Sequence, residues 1–570
     1  MSVSLISKRG ELLAAHAPLI AEAVRVVQSR ESWSPFQDSP STKIHGTEKP
    51  VAGKAAFESR LGQPYVLDQP GIVNWLGEEV SPYTQEHLGI TYPISSPEAL
   101  IASASEAQAD WAQADFQLRA ALCVEMAQRL YACNFEMAHA IMHTTGQSYT
   151  QAFSGSGPNA LDRGIEALAH AVKAMAAVQP EAHYSRTFGR EQVNLHKRYK
   201  LVPRGIGLVI CCASFPTWNA YPAIFASLAT GNPVIVKPHP IAVLPMALVV
   251  SACREVLVDY GFSPDLVTLA VDTREQPVAG RFIEHPAVQI IDFTGSPRYG
   301  HELENSVTNK LLFTETAGVN SVVVESVDSL EKAMRAVARA SSLFSAQMCT
   351  SPQVIYVPAA GIATADGHAS FEQVAQALVA EIDAIANDPA SAAGIMGAVQ
   401  GQVSLDVVAE LQQAVAQLGL RVLREARPYA HEQFPRARTL TPLVVAVDPS
   451  HVELYAEERF GPVLFVVAVS DARAAVQEAT ELARSRGSIS SYMYSHDEAF
   501  IDWALPHYER AGANLTINLT GPMWINFAAA YSDYHVSGLN PAGNACLADA
   551  AFVASRFRIV QQRRPVEVGA

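Results

Sequence analysis

The 570-residue sequence has few charged residues and no cysteine pattern typical of a metal site or a disulfide framework. Charged residues make up 17% and apolar residues 49%, which favours a large, well-buried protein over a disordered chain. Cysteine-pair and Cys/His metal spacings are missing, so we expect reduced thiols, a cytoplasmic location and no metal. The formal net charge of −15 disfavours a nucleic-acid-binding surface. The seven cysteines are Cys123, Cys133, Cys211, Cys212, Cys253, Cys349 and Cys546.

Long uninterrupted hydrophobic runs are also missing. The most apolar zone, 206–236, is broken by Pro216, Pro222 and Pro233, among others, so it does not read as a membrane span. The first ten residues lack the apolar core of a signal peptide. We therefore expect a protein without a membrane partner, and its length predicts two or more domains.

Strand and helix patterns alternate through the middle of the chain. Predicted strands at 233–237, 266–270 and 290–293 alternate with predicted helices at 241–260 and 298–306. This order indicates a parallel sheet covered by helices. Predicted helices that start at Ser96-Pro97-Glu98, 117–134 and 135–144 precede it. The glycines in 205–210 have G-x-G spacing, but with no third glycine and no expected helix start we reject a dinucleotide fingerprint.

The first part of the chain follows a different pattern. Residues 11–29 predict an amphipathic helix, and 31–93 predict an irregular but packed segment rich in Ser, Pro and Gly. Its aromatic residues are interpreted as packing anchors: Trp33, Phe36, Tyr65, Trp75 and Tyr83.

Cys349 is the cysteine that lies among small and polar neighbours, directly after a predicted helix at 330–344. Upstream, Glu315 follows an apolar strand pattern and precedes Gly318. A thiol that forms a covalent intermediate and a carboxylate that activates water make a complete acyl-enzyme pair. On residue types alone, a half-buried cysteine and a surface glutamate are an equally good interpretation.

The segment Thr294-Gly295-Ser296-Pro297 joins a predicted strand to a predicted helix. Free N–H groups and the helix dipole at such a turn attract a pyrophosphate, and the glycine lets the backbone approach. Many strand–helix turns look the same, so this motif alone does not identify a cofactor.

Three segments resemble signature segments of the aldehyde dehydrogenase superfamily, in matching order and separation. They are 315–320 (ETAGVN), 347–349 (QMC) and 457–463 (EERFGPV). The resemblance runs from about Ser95 to the C-terminus. More narrowly, 142–147, 215–219 and 228–233 are similar to the aldehyde dehydrogenases of bacterial phenylacetate degradation.

The resemblance implies an α/β fold with a Rossmann-type cofactor domain, an α/β catalytic domain and oligomerisation strands. The implied division is an N-terminal extension at 1–94, a cofactor domain at 95–184 and 204–317, and a catalytic domain at 318–535. Segments 185–203 and 555–570 would build an inter-subunit sheet, and a homodimer or homotetramer is expected.

Roles for site residues also follow from the resemblance. Cys349 would attack the aldehyde and Glu315 would activate the hydrolytic water. The implied cofactor-binding residues are Lys237, Thr294, Gly295, Ser296, Gly300, Glu458 and Phe460. Pro240 stands where many NAD-preferring relatives carry a glutamate, so NADP is the expected cofactor, with Lys237 and His239 as positive partners and NAD as the alternative.

Two departures from the superfamily pattern concern the chemistry. Ser214 occupies the position of the oxyanion asparagine, and Asn219 is close in sequence; either is a candidate replacement donor. Segment 543–547 lacks a second glutamate that many relatives carry.

The implied substrate is the ring-opened semialdehyde of phenylacetyl-CoA breakdown, a CoA thioester. A non-catalytic scaffold and a CoA-acylating enzyme remain alternatives, and the retained Glu315 disfavours the second.

Overall fold

The computed structural model describes residues 3–316, 318–535 and 549–566. Its N-terminal region packs a long helix and a small two-stranded antiparallel sheet against the helices that follow, and this region is more regular than predicted. Its elements are α1 (Val3–Ser29), α2 (Thr42–His45), α3 (Glu48–Arg60), β1 (Ile72–Leu76) and β2 (Tyr92–Ser95). The expectation of an irregular segment at 31–93 is therefore wrong for 48–60. The helix predicted at 11–29 begins eight residues earlier, at Val3.

Of the predicted aromatic anchors, Phe36, Tyr65 and Tyr83 are buried. Trp33 packs against the core from a half-buried position. Trp75 is 36% exposed on a strand whose side chains all face solvent, so its assignment as an anchor is wrong.

A helical layer and an exposed hairpin come next. The elements are α4 (Pro97–Trp111), α5 (Phe116–Ala132), α6 (Asn134–Thr145), α7 (Tyr149–Ser154), α8 (Pro158–Ala176), β3 (Glu181–Phe188) and β4 (Glu191–Pro203). Ser96 caps α4 as predicted, because its side chain accepts a hydrogen bond from the N–H of Ala99. Gly146 ends α6 in the left-handed conformation that glycine tolerates.

The first parallel sheet confirms the predicted strand–helix alternation. Its elements are β5 (Ile206–Ile210), α9 (Pro216–Ala229), β6 (Val234–Lys237), α10 (Leu244–Asp259), β7 (Val267–Leu269), α11 (Ala279–Glu284), β8 (Val288–Gly295), α12 (Pro297–Ser306) and β9 (Leu311–Thr316). The strand order is β7-β6-β5-β8-β9. Helix α9 does follow β5, so the expectation that no helix starts there is wrong; Pro216 begins it.

The second sheet has seven strands in the order β15-β16-β17-β12-β10-β18-β19, parallel except for β15 on β16. The elements of this half are β10 (Asn320–Val324), β11 (Ser326–Val327), α13 (Leu330–Ser342), β12 (Pro352–Pro358), β13 (Ile362–Thr364), β14 (Gly367–Ala369), α14 (Phe371–Asn387), α15 (Pro389–Ile395), α16 (Gln402–Gln417), β15 (Arg421–Arg424), β16 (Leu443–Val447), α17 (Val452–Tyr455), β17 (Val463–Val469), α18 (Ala472–Arg486), β18 (Ser491–Tyr494), α19 (Glu498–Ala511), β19 (Leu515–Ile517), α20 (Ala550–Ala554) and β20 (Phe557–Pro565). Continuous apolar strands such as β12 and β17 are buried on both faces, which parallel sheets require.

The last strand returns to the first half of the chain. β20 pairs antiparallel with β4, and β4 with β3, in a separate three-stranded sheet. Arg556, just before β20, is fully buried and forms an ion pair with Asp292 of β8. The pairing partner of β20 therefore lies within the predicted segment 185–203, but the sheet begins four residues earlier, at Glu181, and residues 567–570 lie outside the described part. Assembly through this sheet stays a prediction.

None of the helices in the described ranges combines the length and the apolar character needed to cross a bilayer.

Glu79 ties the N-terminal region to the first sheet. Its Oε1 accepts hydrogen bonds from the N–H groups of Val243 (2.6 Å) and Leu244 (2.9 Å), at the start of α10. Its Oε2 accepts one from the Tyr92 hydroxyl. Burial raises the pKa of the Glu79 carboxyl to about 7.

We expect Glu79→Ala to lower the apparent melting temperature by a few degrees. The change leaves two helix N–H groups and the Tyr92 hydroxyl without their buried acceptor, and each such loss costs roughly 1–3 kcal/mol. Glu79→Gln is the matched control, because it keeps one acceptor oxygen and should melt close to the parent. Equal melting temperatures for the Ala variant and the parent would contradict this role.

Candidate active site

A strained turn presents Cys349 at the end of α13. Phe344, Ser345 and Ala346 have φ values of 52°, 49° and 54°, three consecutive non-glycine residues in the left-handed region. Each such residue costs of the order of 1–2 kcal/mol, so the surrounding structure must hold the turn. The predicted helix at 330–344 ends at Ser342 for this reason.

Two buried amide side chains hold the turn. Gln347 donates from Nε2 to the carbonyl oxygens of Phe344 and Ala398, and its Oε1 accepts from the N–H of Gln400. Asn320 donates to the carbonyl oxygen of Cys349 at 2.8 Å and accepts from the N–H groups of 489 and 490. The position of the thiol is therefore fixed from both sides.

The structure brings Cys349 and Glu315 together and adds a third group that the sequence analysis missed. His535 Nε2 lies 3.4 Å from Cys349 Sγ and 3.2 Å from Glu315 Oε1. The ligand-type atoms of all three residues lie within 4.8 Å of one another. The expectation that no metal binds stays a prediction. The other carboxylate oxygen, Glu315 Oε2, has no hydrogen-bond partner in the part of the chain that the structure describes.

The thiol lies in an electrostatically unfavourable place for ionisation. Burial raises the pKa of Cys349 well above its usual value, and the nearby Glu315, Cys212 and Glu458 raise it further. Burial and the charge of Glu315 raise the pKa of the Glu458 carboxyl to about 8. At neutral pH the resting thiol is therefore protonated.

A cavity of about 330 Å³ opens in front of Cys349 and His535. Its wall is largely aromatic and apolar, formed by Phe215, Trp218, Met348, Trp524 and Phe527. Asp38 of the N-terminal region also lines it.

One polar wall residue of this cavity is unpaired. Asn526 is 4% exposed, and neither atom of its amide group has a hydrogen-bond partner among the described residues. A molecule with an apolar body and a hydrogen-bonding group fits such a cavity.

The predicted phosphate turn has the expected geometry. Thr294 and Gly295 end β8, and Ser296 caps α12, with Pro297 at its first position. A Cβ on Gly295 would lie 2.6 Å from the Phe293 ring, and one on Gly300 would lie 2.5 Å from a methyl group of Thr316. The turn and the helix thus pack against the sheet as only glycine allows.

The predicted ribose-binding lysine has a partner that the sequence analysis did not identify. Lys237 Nζ lies 2.7 Å from Asp272 Oδ1, just after β7. Burial, Lys237 and Arg274 lower the pKa of His239 to about 4. The lowered pKa disfavours a charged His239, so its role as a positive partner stays a prediction, and Arg274 is a further cation near it.

The two candidate oxyanion donors contact a different cysteine. The Asn219 amide donates to Cys212 Sγ at 3.5 Å, and the Ser214 side chain is hydrogen-bonded to the same thiol. Neither is among the residues that line the cavity in front of Cys349. Their assignment as oxyanion donors stays a prediction.

Glu458 and Phe460 lie beside the nucleophile turn. Both line a small cavity together with Met348 and Ser351. Gln353 holds their loop, since its Nε2 donates to the carbonyl oxygen of Glu457 and its Oε1 accepts from the N–H of Arg459. Residues 543–547, where a second glutamate is missing, lie outside the described residues.

Comparisons with known proteins identify the family and the fold. Residues 77–516 match the Aldehyde dehydrogenase family. A crystal structure of an NAD-dependent aldehyde dehydrogenase from Burkholderia multivorans is 41% identical, with a TM-score of 0.93 over 97% of this chain and 99% of that one. It confirms the predicted fold class. A 1-pyrroline-5-carboxylate dehydrogenase structure, 19% identical with a TM-score of 0.73, covers 94% of this chain and 100% of that one and shares the fold.

Curated relatives are more distant. A 3,6-anhydro-alpha-L-galactose dehydrogenase of Streptomyces coelicolor is 27% identical over 51% of this chain and 57% of that protein. An N-succinylglutamate 5-semialdehyde dehydrogenase of Pseudomonas fluorescens is 27% identical over 49% of this chain and 55% of that protein. The chain thus spans little more than half the length of these two relatives.

Iodoacetamide should alkylate Cys349 in the folded protein well before Cys211 or Cys253. Cys349 is half-buried and opens onto the cavity, whereas the other two thiols are buried and out of reach of the reagent. Mass-spectrometric peptide mapping over time measures the order, and urea-unfolded protein, in which all thiols react, is the control. Labelling of Cys211 at the rate of Cys349 would contradict the accessibility described above.

Proposed function

The chain belongs to the aldehyde dehydrogenase family, and we propose that it oxidises an aldehyde to a carboxylic acid with NAD or NADP as hydride acceptor. One observation carries the proposal: the thiol of Cys349, which lines a mainly apolar cavity, lies within 4.8 Å of the buried carboxylate of Glu315. This is the pair that covalent aldehyde oxidation and hydrolysis require.

The chain's residues suit the cofactor. The N–H groups at the start of α12 and the hydroxyl groups of Thr294 and Ser296 would hold the pyrophosphate, because a helix N-terminus attracts anions. Lys237 would reach the adenosine ribose, and Glu458 the nicotinamide ribose, next to Phe460. The bound nicotinamide supplies a hydride acceptor.

The protein side of the reaction begins at Cys349. Its sulfur attacks the aldehyde carbon and forms a thiohemiacetal, which becomes a thioester when hydride leaves that carbon. Glu315 then takes a proton from water, and the water attacks the thioester. Oε1 of Glu315 contacts His535 while Oε2 has no partner among the described residues, so Oε2 is the oxygen positioned to act as the base.

For the substrate we propose a semialdehyde that carries a CoA thioester, the ring-opened intermediate of phenylacetyl-CoA breakdown. Support comes from the similarity of 142–147, 215–219 and 228–233 to the phenylacetic acid degradation protein PaaN. The unpaired amide of Asn526 adds a hydrogen-bond partner for a polar group on the acyl chain of such a substrate.

A panel of aldehydes tests the activity and the substrate together. It compares the CoA-bound semialdehyde with the free semialdehyde and with simple aromatic and aliphatic aldehydes, followed as NADPH or NADH formation with and without free CoA. The proposal expects the highest kcat/KM for the CoA-bound compound and a free acid as product. An acyl-CoA product requiring free CoA would indicate acylating chemistry. Cofactor binding without turnover of any aldehyde would indicate a non-catalytic scaffold. The serine at position 214, where the resemblance places the oxyanion asparagine, favours that alternative.

Glu315→Gln should separate the two halves of the reaction. We expect a burst of reduced cofactor of about one equivalent per active site and then almost no turnover, because only hydrolysis of the thioester needs the carboxylate. Cys349→Ala is the control and should give neither burst nor turnover. Rapid-mixing absorbance at 340 nm measures both phases. A Gln variant that binds cofactor but gives no burst would assign Glu315 another role.

We expect the protein to accept NADP, because Arg274 would bind the 2′-phosphate of its ribose. The residue lies near His239, beside a ribose site that lacks the glutamate replaced by Pro240. We expect Arg274→Ala to raise KM for NADP about tenfold or more, since a charge-assisted hydrogen bond is worth roughly 1.5–3 kcal/mol, while KM for NAD stays nearly unchanged. Arg484→Ala, at an exposed position of α18, serves as a cation-removal control. Equal loss with both cofactors would contradict a role in 2′-phosphate binding.

A further inference from the structure

We propose that His535 is the general base that takes the thiol proton of Cys349 during attack on the aldehyde. The inference rests on the proposed function and adds to it a catalytic residue from the segment after β19. Its Nε2 lies 3.4 Å from the nucleophilic sulfur and 3.2 Å from Glu315 Oε1, so one nitrogen is in reach of both groups.

The histidine is part of a built site. It is 2% exposed, and its ring lies edge-on to Trp218 with 6.0 Å between the ring centres. Its Nδ1 has no hydrogen-bond partner within the described ranges, whereas Glu315 Oε1 at 3.2 Å accepts from Nε2 in the tautomer that carries the ring proton there. In the tautomer protonated on Nδ1, the Nε2 lone pair accepts the S–H proton.

Charged residues from two other elements hold the segment that carries His535. Arg163 of α8 donates to the carbonyl oxygens of Ala528 and Asp533, both at 3.0 Å, and pairs with Glu166. Arg30, next to α1, donates to the carbonyl oxygen of Tyr531 at 3.0 Å. These contacts fix the backbone on the N-terminal side of His535, and they give the N-terminal region a link to the active site.

A neighbouring base explains how Cys349 can lose its proton although its surroundings disfavour a free thiolate. Glu315 on β9, Cys212 after β5 and Glu458 before β17 each oppose a free thiolate. Tyr492 on β18 also lies near the thiol, and Asp38 lines the same cavity. Transfer of the proton from Sγ to Nε2 keeps the total number of protons on the two groups unchanged. The carboxylate of Glu315, in contact with Nε2, then stabilises the imidazolium.

The proton and electron balance closes within the site. As the S–C bond forms, the carbonyl π pair moves to oxygen and the S–H proton moves to Nε2. The C=O bond re-forms in the thioester as the same carbon loses hydride, for which the bound cofactor would supply the acceptor. Water attacks after giving a proton to Glu315, the S–C bond breaks, and the departing sulfur recovers its proton from Nε2. Glu315 releases its proton to solvent.

The rate of Cys349 alkylation as a function of pH tests this base without any aldehyde or cofactor. A thiol–imidazole pair and its thiolate–imidazolium form carry the same number of protons, so their ratio does not change with pH. In the parent protein we therefore expect a plateau in the iodoacetamide rate across neutral pH. In His535→Gln the plateau should vanish and the rate should rise tenfold per pH unit. At pH 7 the variant should be about a hundredfold slower, the usual size of a general-base contribution.

Two matched variants distinguish His535 from Glu315 as the base and from a general effect of losing a histidine. His170→Gln changes another largely buried histidine, whose charged neighbours are Arg30 and Lys173, and should keep the plateau. Glu315→Gln should keep it at a lower height, because the imidazolium loses its carboxylate. If Glu315→Gln abolished the plateau and His535→Gln kept it, the base would be Glu315 and the proposal would be wrong.

Chemical rescue covers the case in which His535→Gln is distorted. In His535→Ala, added imidazole should restore the alkylation rate at pH 7 with saturation, while the parent and His170→Gln should not respond. Circular dichroism and melting curves check the fold, and EDTA removes trace metal. Failure of imidazole to rescue a folded His535→Ala protein would overturn the proposal. A parent with the plateau but without aldehyde oxidation would instead reject the proposed function and leave the thiol–imidazole pair in place.

Discussion

The contact of Cys349 and Glu315 through one nitrogen of His535 is the constraint on which the site depends. It requires three distant segments to meet: the end of β9, the left-handed turn after α13, and the segment after β19. The turn is the costly element, and the fully satisfied amide groups of Gln347 and Asn320 offset that cost with hydrogen bonds to its backbone. The strain therefore places a nucleophile where an unstrained helix end would not.

The same arrangement links the two sheets and the N-terminal region. Glu315 belongs to the first sheet, and Cys349 lies in the half that forms the second. Arg30 and Asp38, which precede the first short helix after α1, reach the segment of His535 and the cavity wall respectively. A region that composition alone describes as irregular thus contributes to the substrate site, and Glu79 attaches it to α10.

Local signals made part of this predictable from the sequence. The turn at 294–297 was recognisable because a proline follows a capping serine at the end of an apolar strand, and Cys349 because small polar residues surround it. His535 gave no such signal. It is a single histidine 186 residues after Cys349 in an irregular segment, and only the tertiary fold brings it to the thiol. The partners of Lys237, Ser214 and Asn219 were missed for the same reason, since Asp272 and Cys212 are near them in space but carry no shared motif.

The proposed chemistry depends on Cys349 carrying the substrate as a thioester. The most direct test mixes Glu315→Gln protein with aldehyde and oxidised cofactor, quenches with acid, and maps the acyl group by mass spectrometry of the intact protein and its peptides. We expect one acyl group, on the peptide that contains Cys349, formed only when both aldehyde and oxidised cofactor are present. An acyl group on another residue, or no adduct while reduced cofactor accumulates, would contradict this chemistry.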